Sequence, residues 1–198
     1  MALWLLLLPL RLALFVPIFV AYLSVIPGMA VFLVRIETDF AESYERYFGA
    51  VRRGDTLAVI ERYRDGLVIA ARAGLHDILR VQGLTVAVLL LTGDRVLGLF
   101  RIPVFYAYLF KIDVVGVAFQ TLLLGIFTIL FYLDYRRLVL WMCALFAALN
   151  IGLSILSQSL GPRFYGLGFT VAVAVTTLLS LHALSSKLDR LEFETFMR

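Results

Sequence analysis

Few residues in this chain are placed to do covalent chemistry. Glu37 and Asp39 could form a carboxylate pair for acid–base work, but Arg35 stands beside them, and such clusters at a membrane edge are usually solvated ion pairs. His76 and His182 lack metal-ligand spacing, so no metal site is expected. The single cysteine, Cys143, lies in an apolar run, which rules out an internal disulfide and fits a buried, inert thiol. No P-loop, GxGxxG, HExxH or GxSxG motif occurs, and no catalytic residue or cofactor is assigned. No acidic residue is expected deep in an apolar run, which argues against a proton-coupled site. One polar constellation remains. Asn150, Ser154, Ser157 and Gln158 recur at i, i+4, i+7 and i+8, a single helical face of hydrogen-bonding groups inside an otherwise apolar stretch. Gln120, Thr128, Thr170, Thr177 and Ser180 could line the same polar space. Such a face serves either a hydrophilic path or ordinary interhelical hydrogen bonding, at about 1 kcal/mol per bond.

The elements that must position these residues are apolar runs long enough to cross a bilayer: Leu12–Val34, Val81–Phe100, Ile112–Leu133, Leu138–Leu160 and Phe164–Ser185. A crossing helix needs roughly 20 such residues. Barrel strands would alternate apolar and polar residues, and these runs do not. The composition agrees, with 62% hydrophobic and 16% charged residues and a mean hydropathy of +0.96, against about 45–50% and 25% in soluble domains. The expected fold is an all-α polytopic membrane bundle: one membrane domain of about five transmembrane helices. A connector over 38–80 forms an amphipathic helical hairpin, and a surface tail covers 186–198.

Within the connector, Phe40, Tyr44, Tyr47, Phe48 and Val51 form one helical stripe, Gly54 ends that helix, and the next starts near Leu57. The hairpin either covers the helix ends or docks a cytoplasmic partner through Phe40, Tyr44, Tyr47, Arg52 and Arg53. Pro27-Gly28 predicts a bend in the first span. Thr92–Arg95 reads as a turn or a span end. Pro103, Phe105, Tyr106, Tyr108 and Phe110 read as an interfacial anchor, and Gly161-Pro162 as a tight turn. Ala144, Ala148 and Gly152 form a small-residue face suited to close helix approach.

The net charge of +4 is explained by topology rather than nucleic-acid binding, because the arginines flank the spans. Eight lie from Arg35 through the connector to Arg80, two at Arg136 and Arg137, and three basic residues in the tail, so thirteen fall on one side against five on the other. This predicts a cytoplasmic connector and C-terminus and a periplasmic N-terminus.

Several tracts resemble the C-terminal part of the PelG family, inner-membrane transporters of the Pel exopolysaccharide system. They are IPGMAVFLVRIETDF (Ile26–Phe40), YERYFGAVRRGDTLAVIE (Tyr44–Glu61), VQGL (Val81–Leu84), FYLDYRR (Phe131–Arg137), LGPRFYGLGF (Leu160–Phe169) and LDRLEFETFM (Leu188–Met197). The resemblance implies a polysaccharide flippase/multidrug exporter fold of about twelve helices, alternating access, and biofilm polysaccharide export across the bacterial inner membrane. It also implies partners: membrane lipid, a neutral N-acetylhexosamine-rich polymer, other Pel membrane subunits and a cytoplasmic glycosyltransferase. With five spans, the chain is expected to be a truncated or fragmentary member. The competing readings are a non-transporting scaffold that docks the glycosyltransferase and, without a catalytic set to support it, a membrane-embedded transferase.

Overall fold

A computed structural model describes residues 17–99, 107–161, 164–189 and 191. Among the described residues, five helices are long and apolar enough to span a membrane: α1 (Pro17–Arg53), α2 (Leu57–Leu99), α3 (Ala107–Tyr132), α4 (Arg136–Ser159) and α5 (Leu167–Asp189). The expected start of the first span, the anchor residues Pro103, Phe105 and Tyr106, Pro162, and most of the tail lie outside the described residues. The chain is an all-helical membrane protein.

Helix α2 has 43 residues, about 65 Å at 1.5 Å per residue, against a hydrocarbon core of about 30 Å. Its charged first half runs antiparallel to the charged second half of α1. The two join at Gly54, whose φ of 70° closes α1 while Asp55 N donates to Ala50 O at 3.1 Å. Thr92–Arg95 does not form a turn. The helix passes through it without a break, and Gly93 packs under the Phe110 ring, where a Cβ would come within 2.9 Å of Phe110 Cε1.

Helix α1 is irregular at two places. At Ser24 it makes a turn, three residues before Pro27, which has no N–H to offer Leu23. The buried Gln82 of α2 supplies a donor there, Nε2 to Ser24 O at 3.0 Å. At Arg35–Phe40 the helix widens into a π-helical turn. Arg35 there bonds Asp39 at 2.9 Å and Asp77 of α2 at 2.8 Å. Gly74 lets the two helices close up, since a Cβ at that position would meet Ile36 Cδ1 at 2.8 Å.

This packing corrects the docking expectation for the connector. Phe40 and Tyr47 are fully buried, and Tyr44 is half-buried against Tyr132 and Phe48. The aromatic stripe is core, shared with Leu67, Ala71 and Ile129. The stripe faces inward because α2 is long enough to run beside it. Only Arg52 and Arg53 of that set are exposed.

Helix α5 packs along both α3 and α4. At the α4 contact, a Cβ on Gly168 would stand 2.7 Å from Leu153 C, Leu153 O and Ser154 N, so backbone meets backbone. The expected small-residue face lies elsewhere. Ala144, Ala148 and Gly152 are exposed, and a Cβ on Gly152 would touch nothing within 4 Å. Cys143 is likewise exposed, not buried. Leu140, Trp141, Ile151 and Ile155 share this outward orientation, which places apolar side chains toward lipid.

Candidate functional site

The alternating directions of the helices put the charged hairpin at one end of the bundle and the starts of α1, α3 and α5 with the end of α4 at the other. At that second end the helices leave a cleft of about 720 Å³. Three residues of the polar face of α4 open onto it: Ser154, Ser157 and Gln158. Their positions follow from the close α4–α5 contact, because the face that carries Ser154 packs on Gly168 and the next turn projects into the gap. Ser157 is buried and its Oγ donates to Ser154 O at 2.9 Å; Gln158 is exposed.

The other sequence candidates do not share the cleft. Asn150 lies one turn further along α4 and accepts a 3.3 Å bond from Ser154 Oγ. Gln120 is exposed on α3 and lines no part of the cleft. Thr177 is buried in the α3–α5 seam, with its hydroxyl 2.7 Å from Val173 O and 3.2 Å from Phe119 O. Thr170 repeats the pattern seven residues earlier, donating to Ile112 O at 3.1 Å. A threonine on a lipid-embedded helix must bond somewhere, and the neighbouring backbone is the nearest acceptor. These residues hold helices together.

Facing the α4 residues across the cleft are Tyr22 of α1, Asp113 of α3, and Tyr165 and Phe169 at the start of α5. Asp113 is a buried acid near the start of α3 that the charge pattern does not single out. It sits six residues into α3, is only 7% exposed, and its Oδ2 has no hydrogen-bond partner. In the sequence, Lys111 two residues earlier makes it look like part of a membrane-edge charge cluster. The lysine instead turns away to Asp94 of α2, at 3.1 Å. The available signal was that no charge follows Asp113 until Asp134. The turn at Tyr165 and Gly166 gives no sequence sign that it will lie over Asp113. Among the described residues no cluster of three or more His, Cys, Asp or Glu could hold a metal ion.

Five helices long and apolar enough to span a membrane, packed around a largely apolar cleft that carries Ser154, Ser157, Gln158 and Asp113, define a polytopic membrane protein. The chain belongs to the PelG family of exopolysaccharide exporters (EPS-E), which it matches over residues 13–196. No curated protein and no solved structure matches it.

Proposed function

We propose that this chain takes part in exporting an exopolysaccharide across the bacterial inner membrane, by alternating access, with the α1–α4–α5 cleft as part of the glycan path. Family membership supports the substrate class, and the observation that carries the path is the opening of Ser154, Ser157 and Gln158 onto this cleft at one end of the bundle. Hydroxyl and amide groups suit the hydroxyls and acetamides of a neutral, N-acetylhexosamine-rich polymer. The polymer would be made by a cytoplasmic glycosyltransferase and handed on with other Pel membrane subunits. The scaffold alternative keeps Arg52, Arg53 and part of Tyr44 at the surface, whereas Phe40 and Tyr47 are buried.

The test is export itself. Replacing both Ser157 and Gln158 by leucine puts apolar bulk into the path at a cost of about 1–3 kcal/mol. Secreted polysaccharide is expected to fall roughly tenfold or more at unchanged protein level. Undiminished export would remove the cleft from the path.

The arginine distribution supports a cytoplasmic hairpin, which puts the cleft at the periplasmic end of the bundle. With Cys143 replaced by alanine and Arg52 by cysteine, an impermeant maleimide is expected to leave intact spheroplasts unlabelled and to label the protein after permeabilisation. Labelling of intact spheroplasts would reverse the orientation.

A further inference from the structure

The cleft contains a group that a merely polar path does not need: a buried carboxylate with a free oxygen. We infer that Asp113, together with Tyr22, Tyr165 and Phe169, forms a monosaccharide subsite that takes one uncharged pyranose ring of the exported glycan. The inference rests on the export reading and adds the residues and the charge selectivity.

The first argument is hydrogen bonding. Asp113 lines the cleft although only 7% exposed, and its Oδ2, closed to solvent, has no hydrogen-bond partner. An unmatched buried carboxylate is costly, and two neighbouring sugar hydroxyls are donors spaced to satisfy it.

The second argument is position. Gly166 adopts φ +84°, and a Cβ there would stand 2.9 Å from both Asp113 Oδ1 and Leu109 Cδ1. The backbone of the turn before α5 therefore packs against the carboxylate and fixes it at the cleft, an approach that glycine allows.

The third argument is shape. Tyr22, Tyr165 and Phe169 supply flat apolar faces, two of them with hydroxyl edges, against which the C–H face of a pyranose can stack. At about 720 Å³ the cleft falls within the roughly 300–1,000 Å³ of small-molecule sites. A bare metal cation would need several oxygen ligands drawn together, and here a single carboxylate faces three aromatic rings.

The fourth argument is charge. No lysine or arginine is among the described residues lining the cleft. A uronate or phosphate group would meet Asp113 without compensation, so the subsite selects against anionic sugars.

The experiment is saturation-transfer NMR on the full chain in nanodiscs, with tetra-N-acetylchitotetraose as the neutral probe and tetragalacturonate as its anionic counterpart. The wild-type protein is expected to bind the neutral probe with a Kd of about 1 mM or tighter. Tetragalacturonate should give no transfer. Asp113→Leu should weaken neutral binding about 10- to 100-fold, and the near-isosteric Asp113→Asn about 3- to 10-fold. Circular dichroism checks that each variant is helical, and if Asp113→Leu fails to fold, Asp113→Asn decides. Unchanged binding by Asp113→Asn, absent binding by wild type, or equal binding of tetragalacturonate would each overturn the subsite. So would a loss of export in Asp113→Asn with binding intact, which would give the carboxylate another task. None of these outcomes bears on the Ser157 and Gln158 export test, so the subsite and the export reading fail separately.

Discussion

Replacing Gly168 by leucine is expected to abolish recovery of folded protein, the largest single-residue effect this structure predicts. Even the Cβ of alanine would stand 2.7 Å from three backbone atoms of Leu153 and Ser154, and backbone cannot rotate away as a side chain can. Helices α4 and α5 would have to separate along a contact that also sets the position of Ser154 and Ser157. Overpacking of this kind costs about 1–3 kcal/mol for small additions, and a branched side chain wedged at the crossing costs more. Helices in a bilayer gain little from hydrophobicity when they associate, so close packing is most of what holds α4 to the bundle. Gly168→Ala should therefore lower the unfolding midpoint in detergent clearly, and Gly168→Leu should leave only aggregated or degraded protein. Gly152→Ala is the control. Its Cβ would enter open space, and its midpoint is expected to stay within about 0.5 kcal/mol of wild type. If Gly152→Ala proved the more damaging substitution, the α4–α5 packing described above would be wrong.

The second large effect concerns the bend in α1. In Gly28→Ala the new Cβ would lie 2.3 Å from Gln82 Oε1 and 2.9 Å from Thr121 Cγ2. The amide would be driven from its place, and its 3.0 Å bond to Ser24 O would be lost in a region closed to water. The expected cost is about 2–3 kcal/mol, combining overpacking with an unsatisfied buried carbonyl. Gln82→Ala alone removes the same hydrogen bond and leaves a cavity where a fully buried side chain stood, at a comparable cost. The pair should be non-additive, the double variant being more stable than the sum of the single costs by about 1–2 kcal/mol, since the clash disappears with the amide. Chemical unfolding of all four forms under one condition measures this coupling. Simple additivity would show that Gln82 does not fill the space beside Gly28.

Two kinds of interior polar group stand out. Gln82 and Thr170 spend their donors on backbone carbonyls of neighbouring helices, and Thr177 sits between Val173 O of its own helix and Phe119 O of α3. Ser154, Ser157 and Asp113 border open space. Composition cannot separate the kinds, because threonine and serine satisfy either environment.

What the sequence determined by itself was everything that depends on length and local periodicity. Twenty-residue apolar runs have no low-energy state in lipid other than helix, so the all-α spanning architecture followed directly. The end of α1 at Gly54 was legible because only glycine takes that left-handed conformation without strain. The polar face on α4 was legible because helical phase is a property of the helix alone. Which face meets which neighbour was decided only by the tertiary structure. The stripe of Phe40, Tyr44 and Tyr47 turned inward because α2 is long enough to cover it, and the Ala144–Gly152 face stayed outward because the α4–α5 crossing formed at Gly168 instead. Asp113 entered the site for the same reason: a turn more than fifty residues away in sequence folds back over its carboxylate, and such long-range juxtaposition leaves no mark on local pattern.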